Sequence, residues 1–364
     1  MKFLFYFAHP AHFHLFKNII ISLKEKNHKI LIAIQKKDVL EELVLKAGFP
    51  YENILMNGRG DSKISIVYSL IQKDYKLFQI VRKFRPDIMV ASGPEITHIG
   101  KLFKIPSLLV FEDDLDQVAQ YAKIGPPFAS ALITPWNCRV GKWQKKQIGY
   151  NGLHELCYLS PKYFTPNIEN VSDLIKNSKP YFILRFSRLE AYHDVGKKGI
   201  SSELAQKLSN ILGQYGNIYI TSEKMINGPL SKYIINIHPA NMHDALYYAD
   251  LFIGDSQTMT AEAAVLGTPA LRFNDFVGKL SYLNELEHKY DLTYGIQTNQ
   301  PEKLIQKVFE LIRKKNIKKS WQEKRDRMLS EKIDVTSFLV WFIENYPDSF
   351  NMFRKDPNIQ YTFK

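Results

Sequence analysis

Gly254-Asp255-Ser256-Gln257-Thr258-Met259-Thr260-Ala261-Glu262-Ala263-Ala264-Val265-Leu266-Gly267-Thr268-Pro269 carries the clearest local signal in the chain. Just before it, Ala249 to Ile253 reads as a short buried strand, apolar with β-branched and aromatic members. A glycine and small polar residues follow, then a run of good helix formers, Met259 to Leu266, which Gly267 and Pro269 stop. The order is strand, tight polar turn, helix. Such a turn aims backbone N–H groups and the positive end of a helix dipole at one point, which suits a phosphate. Ser256 and Thr258 add hydroxyl donors, and Glu262 lies within reach of a sugar hydroxyl attached to that phosphate. The same stretch also admits a second reading, an N-capped helix in an α/β protein with Glu262 solvated.

Strands and helices alternate on both sides of this point. Residues 2 to 8 read as a strand, the loop His9 to His14 leads into a helix from Leu15 to Lys26, and Lys29 to Ile34 is the next strand. Asp38 caps a helix ending at Gly48, Asn57 to Asp61 is a loop, and a helix runs from Ser62 to Phe84, stopped by Pro86. Strands follow at 87–92, 105–111 and 131–134. From Asn137 to Val171 the periodicity breaks among glycines and prolines, which marks the crossing between domains. The alternation resumes with strands at 181–186 and 218–221, a weaker one at 234–237, the strand before Gly254, and another at 270–273. Helices cover 301–314 and 317–345. This βα alternation implies parallel sheets with right-handed crossovers. The expected fold is therefore α/β with two Rossmann-like domains, 1–165 and 166–345, followed by a tail, 346–364.

With 364 residues, 45% of them hydrophobic, the chain can bury a core in each domain. It contains no apolar run long enough to span a bilayer. Its apolar start runs into His9 and Pro10 where a signal peptide needs small residues, so it reads as a core strand. Two cysteines, Cys138 and Cys157, form no disulfide framework or metal pattern, which points to a reducing, cytoplasmic setting. The formal net charge of +12 favours anionic partners. No nucleic-acid module is present, and lysines such as Lys314, Lys315, Lys318 and Lys319 read as a solvated helix face.

In open α/β sheets ligands bind at the carboxyl edge, so the loops there carry the chemistry. Between two such domains they would line a cleft. His12 and His14 follow the first strand, and one of them can serve as a base near neutral pH or as a helix cap. Glu95 opens a helix after Ser92-Gly93-Pro94, and Glu112-Asp113-Asp114 ends a strand. Each is either a structural or solvated acid or an acid–base group whose pKa its neighbours shift. Arg185 and Arg188, with His193 and Asp194 after them, lie just past the first strand of the second domain, where arginine can hold a diphosphate. His238 and His243 precede Gly254 and can approach the ligand or cap a short helix.

The second half resembles the GT-B superfamily of nucleotide-sugar enzymes. Ser256, then Glu262 and Ala-Ala-x-x-Gly-x-Pro, is similar to the phosphate- and ribose-binding turn of UDP-N-acetylglucosamine 2-epimerases and of the peptidoglycan glycosyltransferase. From residue 1 to about 312 the chain resembles an uncharacterised prokaryotic GT-B family, through Ala11-His12-Phe13-His14-Leu15-Phe16, Tyr247 to Ser256, and Met259 to Pro269. The resemblance implies a C-terminal helix packing back on the first domain. It also implies that Ser256, Gln257, Thr258 and Met259 form the diphosphate turn, with Glu262 on the ribose. Glu95 and Glu112 fall near the acids of the epimerases. The Asp-Ser-Gly-Gly turn of those enzymes is Asp255-Ser256-Gln257-Thr258 here, and their His-Arg-x-Glu-Asn segment is absent.

The expected activity is metal-independent, cofactor-free transfer of a sugar from a UDP-linked donor to a glycan or lipid-linked acceptor in surface polysaccharide biosynthesis. His12, His14, Glu95 or Glu112 would be the base, and Arg185, His238 and His243 would add to the donor site. A nucleotide-sugar epimerase or hydrolase and a non-enzymatic sugar-nucleotide-binding protein are the alternatives. The charge and the aromatic C-terminal helix suit a peripheral place on the anionic inner membrane face.

Overall fold

The computed structural model describes residues 1–35, 39–55, 63–175, 179–186, 199–222 and 226–364. The expected cap Asp38, the loop Asn57 to Asp61, Ser62, and Arg188, His193 and Asp194 lie outside them. The chain divides into two compact units, Met1–Tyr158 with Lys332–Lys364, and Leu159–Glu331.

The first unit begins with β1 (Lys2–Phe7), α1 (Pro10–Glu25), β2 (Lys29–Gln35), α2 (Leu40–Lys46), β3 (Tyr51–Leu55) and α3 (Lys63–Phe84). It continues through β4 (Ile88–Ala91), α4 (Glu95–Phe103), β5 (Ser107–Val110), α5 (Ala119–Ile124), β6 (Ala131–Pro135), β7 (Gln147–Tyr150) and the short α6 (Leu156–Leu159). All seven strands are parallel, in the order β3-β2-β1-β4-β5-β6-β7. The central strands are almost wholly apolar because helices cover both faces: β4 and β5 are buried at every position, with Ser107 the one polar residue in them. Strand order reverses between β1 and β4, and the carboxyl ends of these two strands flank the crevice where ligands bind in such sheets.

The second unit runs β8 (Tyr181–Phe186), α7 (Ser202–Leu212), β9 (Asn217–Ser222), α8 (Met242–Tyr248), β10 (Leu251–Gly254), α9 (Gln257–Val265), β11 (Ala270–Phe273), α10 (Ser281–Asn284), β12 (Thr293–Ile296), α11 (Pro301–Ile312) and α12 (Ile317–Glu331). Its five parallel strands are ordered β12-β11-β10-β8-β9, so the reversal lies between β8 and β10. The helix expected from Met259 starts two residues earlier, at Gln257, with Ser256 as its N-cap.

The chain then returns to the first unit with α13 (Val335–Glu344) and α14 (Asp348–Lys355). The expected helix 317–345 is thus two helices. Asp334 breaks it by accepting from the Ser337 N–H at 3.0 Å as the N-cap of α13. Packing moves the boundary as well: α13 lies against α1, and Thr336 donates to the Cys157 carbonyl at 3.0 Å, so the first unit resumes at Lys332 and not after residue 345. The aromatic face of α13 is core, with Phe338, Leu339 and Phe342 fully buried.

Three strands, β3, β7 and β12, were not expected, and one expected strand is missing. Residues 234–237 make a single bridge, Ile220 to Ile234, squeezed between the 3-10 turns Gly228–Tyr233 and Pro239–Asn241. Lys318, expected on a solvated face, instead turns inward. Its ammonium donates to the carbonyls of Tyr247 and Ala249 (2.9 Å for the latter) and to the Thr268 hydroxyl at 2.7 Å, closing the carboxyl end of α8. No described helix is long and apolar enough to cross a membrane.

Candidate functional site

In the second unit, the turn after β10 is held from several directions. Ser256 Oγ accepts from the Met259 N–H at 3.3 Å, and the Thr260 hydroxyl donates to the Ser256 carbonyl at 2.6 Å. Asn274 donates to the Asp255 carbonyl at 2.9 Å. Gln257, Thr258 and Met259 are half-buried in the first turn of α9, where backbone N–H groups have no partner within the helix. Gly254 must be a glycine here. A Cβ would stand 2.9 Å from Phe252 Cζ, 3.0 Å from Arg185 Cβ and 3.1 Å from the Arg185 carbonyl oxygen.

Glu262 lies one turn further on and is 5% exposed. Its Oε1 is 3.1 Å from Nε2 of His243, in the first turn of α8, and the His243 ring stands edge-on to Phe164 at 6.1 Å. Asp244, beside it, anchors that turn by accepting from the Asn167 N–H and the Asn170 side-chain amide, both at 2.8 Å. The solvated reading of Glu262 is therefore replaced by a buried carboxylate with a fixed imidazole partner. His238 is exposed and accepts from the Ala240 N–H at 3.2 Å, capping a 3-10 turn.

Register places Thr221, Arg185, Gly254, Arg272 and Gly295 side by side across β9, β8, β10, β11 and β12, near the carboxyl ends of the strands. Paired residues of parallel strands project to the same face, so Arg185 and Arg272 flank Gly254, which places no side chain between them. Arg272 is buried, its Nη1 has no hydrogen-bond partner, and burial lowers its pKa. Sequence reading passed over Arg272 because a lone arginine inside an apolar strand carries no motif.

The first unit holds a second group of polar side chains at its carboxyl edge. Glu95, in the first turn of α4, is buried. Its Oε1 accepts from Lys73 Nζ at 3.1 Å and from the Tyr6 hydroxyl at 3.4 Å, while Oε2 is buried without a partner. A Cβ on Gly93 would come within 2.5 Å of that Oε2. Burial and the neighbouring Glu95 charge raise the Tyr6 pKa well above its ordinary value.

His9 caps α1 by accepting from the Ala11 N–H at 3.2 Å. His12 Nδ1 accepts from the Ala8 N–H at 3.1 Å, which puts the hydrogen of the neutral ring on Nε2. His14 packs against Tyr158, ring centroids 5.4 Å apart. In the acidic run, Asp114 is fully buried and accepts from the Arg139 N–H at 2.6 Å, with the Arg139 guanidinium 3.2 Å away, so it is structural. Glu112 Oε2 lies 3.6 Å from His154 Nδ1. That contact is too long for a hydrogen bond. Burial, and then His12, push the His154 pKa down to about 3, so a neutral ring faces the carboxylate. His154 also lies parallel to Tyr150, ring centroids 6.4 Å apart. The structure thus brings His12 and Glu112 together around His154, which the sequence reading left inside the aperiodic stretch. Among the described residues no three His, Cys, Asp or Glu side chains are grouped so that they could hold a metal ion.

The family model described as a protein of unknown function (DUF354) matches residues 3–336. The chain belongs to the DUF354 family. No curated protein matches the sequence. Among solved structures, the fold of this DUF354 member is similar to UDP-GlcNAc 2-epimerase from Neisseria meningitidis bound to UDP-GlcNAc, with TM-score 0.63, 12% identity, and 95% of this chain and 100% of that chain covered. It is also similar to MnaA of S. aureus in a structure with UDP (TM-score 0.63, 13% identity, 93% and 96% covered). The spinosyn forosaminyltransferase SpnP gives TM-score 0.62 at 14% identity, with 95% and 100% covered. At such identities the likeness is one of fold, and the fold of this DUF354 chain is that of GT-B proteins, two Rossmann-like domains with parallel sheets.

Proposed function

We propose that this protein is a metal-independent GT-B glycosyltransferase that moves a sugar from a UDP-linked donor to a glycan or lipid-linked acceptor in surface polysaccharide biosynthesis. One observation carries the reading. Glu262 is a buried carboxylate held by His243 one turn behind the Ser256-capped start of α9, beside the strand-order reversal between β8 and β10. That arrangement gives a diphosphate the helix start and gives ribose hydroxyls a carboxylate acceptor. Arg185 and Arg272 add cationic charge in the same strand row.

In the transfer, the acceptor oxygen attacks the anomeric carbon while its proton passes to a base. The bond from that carbon to the diphosphate oxygen breaks, and UDP leaves with the electron pair. The helix start, hydroxyls and arginines take up the charge that develops. Glu112 is the base in this reading. Glu95 is already committed to Lys73 and Tyr6, and His12 presents a hydrogen at Nε2. Nucleotide binding is read as a rise in melting temperature; occupancy at 100 times Kd adds about 2.7 kcal/mol. Glu262→Ala is expected to abolish the rise with UDP. Glu112→Gln is expected to keep it while losing at least about 100-fold in turnover. If no nucleotide stabilises the protein, the reading is removed.

A second reading, an epimerase or hydrolase acting on a nucleotide sugar, is favoured by the two buried or half-buried acids Glu95 and Glu112 at one sheet edge. Product analysis without acceptor separates the two. An isomerised nucleotide sugar supports epimerisation, and UDP that appears only when acceptor is added supports transfer.

A further inference from the structure

Helix α13 buries Phe338, Leu339 and Phe342 in the core and leaves Trp341 half-buried. Of the large apolar side chains that the first unit exposes, five, Ile71, Tyr75, Leu102, Ile124 and Phe128, lie on the elements that meet at His98, while Met1, Leu45, Trp136, Met352 and Tyr361 lie elsewhere. His98 Nδ1 meets Asp74 Oδ2 of α3 at 3.3 Å, and Nε2 meets the Ile124 carbonyl at the end of α5 at 3.0 Å. Its ring stands edge-on to Phe128 at 5.5 Å. One imidazole therefore joins α3, α4 and the segment leading into β6. Leu102 (65% exposed) is one helical turn beyond His98, Tyr75 (60%) adjoins Asp74, and Ile71 (61%) is one turn before Tyr75. Ile124 (38%) and Phe128 (44%) extend the group on the other side of the ring.

The same elements are one-sided in charge. Lys76, Arg82 and Lys83 of α3, Lys101 of α4, Lys104 at its end and Lys123 of α5 are exposed. None of them has an ion-pair partner among the described residues. The acids of residues 71–84, 95–104 and 119–124 are Asp74 and Glu95, held by His98 and Lys73. Single exposed apolar residues are ordinary, but a group of them on adjacent elements, set among unopposed cations, marks a contact surface.

We propose that this face of the first unit docks on a lipid bilayer carrying anionic headgroups. The apolar side chains enter the headgroup layer while the lysines and arginine pair with lipid phosphates. The net charge of +12 acts in the same direction. The proposal does not draw on the nucleotide site, so vesicle binding and nucleotide binding are read separately.

The test is co-sedimentation of the full chain with vesicles of phosphatidylcholine alone, and of equal parts phosphatidylcholine and phosphatidylglycerol. The protein is expected to pellet with the mixed vesicles only, and to be released by high salt. Leu102→Asp with Phe128→Asp, and separately Lys101→Glu with Lys123→Glu, are each expected to lower binding about tenfold with circular dichroism and melting temperature unchanged. Wild-type protein left in the supernatant with mixed vesicles overturns the proposal, and so does equal pelleting of the variants. Absence of vesicle binding together with a dimer that Leu102→Asp dissociates, seen by light scattering, would assign the face to a second copy of the chain.

Discussion

His154 has its pKa pushed down to about 3 by burial and by the nearby His12, against an ordinary value of 6.5. The unfolded chain therefore takes up a proton at this residue over a pH range in which the folded chain does not. Its contribution is complete above pH 6.5 and is lost as the pH falls through the interval down to about 3. The slope reaches about 1.4 kcal/mol per pH unit from this one residue. Urea unfolding at a series of pH values should show that slope in the wild type and a shallower one in His154→Gln. Parallel curves would mean that the ring is not held neutral in the fold. At this scale the sequence was partly readable. Glu262 and its distance from Ser256 could be picked out because both belong to one turn and helix. His243 was visible only as one of two options, because the contact that decides its role comes from another helix. His154 and Arg272 gave no local pattern, since partners from other strands and helices define each of them.

Helices and strands with a strong period are where expectation and structure agree best. The run from Ala249 to Pro269 folds as strand, capped turn and helix. β12, Thr293-Tyr294-Gly295-Ile296, was missed because four residues with a glycine have too little alternation to stand out; β11 recruits it by register. Lys318 shows the limit of reading charge as surface. It belongs to a lysine-rich run, yet burial lowers its pKa to about 7 while three oxygens around its nitrogen hold it at the end of α8. Between that value and the ordinary 10.5 the unfolded chain keeps a proton that the folded chain releases, so stability rises with pH across this interval. Lys318→Met leaves the carbonyls of Tyr247 and Ala249 without this donor and should cost about 1–3 kcal/mol near neutral pH. It should also flatten the rise toward pH 10. Thermal unfolding of the two proteins over that range checks both effects, and an unchanged pH profile would show that the ammonium does not titrate there.

At the level of the whole molecule, the two-domain α/β fold was legible because βα alternation repeats in both halves. The assignment of the C-terminal helices was only half legible. Only a C-terminal helix was expected to pack back on the first domain, and residues up to 345 were assigned to the second; the point of return depends on side chains such as Thr336 and Asp334 that bond locally or across the unit. The second unit is one continuous segment, Leu159–Glu331, set between two parts of the first. Residues 159–331 expressed alone should therefore melt cooperatively and keep any stabilisation by UDP. Residues 1–158 without 332–364 should be poorly soluble, since α1 then loses α13 from its apolar face. Soluble expression and calorimetry of the two fragments decide this. A well-behaved 1–158 fragment would show that the C-terminal helices are an accessory layer.

The same connectivity sets an order of events during translation. Domains generally fold as units while the chain emerges, the amino-terminal one first. Here the unit that contains Met1–Tyr158 is closed by the later residues Lys332–Lys364. The inserted unit has its complete sequence outside the ribosome sooner, so it can reach its native state while the seven-stranded sheet still lacks the helix that covers α1. For that interval the nascent protein shows chaperones an open apolar surface on the first-made part. Residues 332–364, made after the inserted unit, work as the seal.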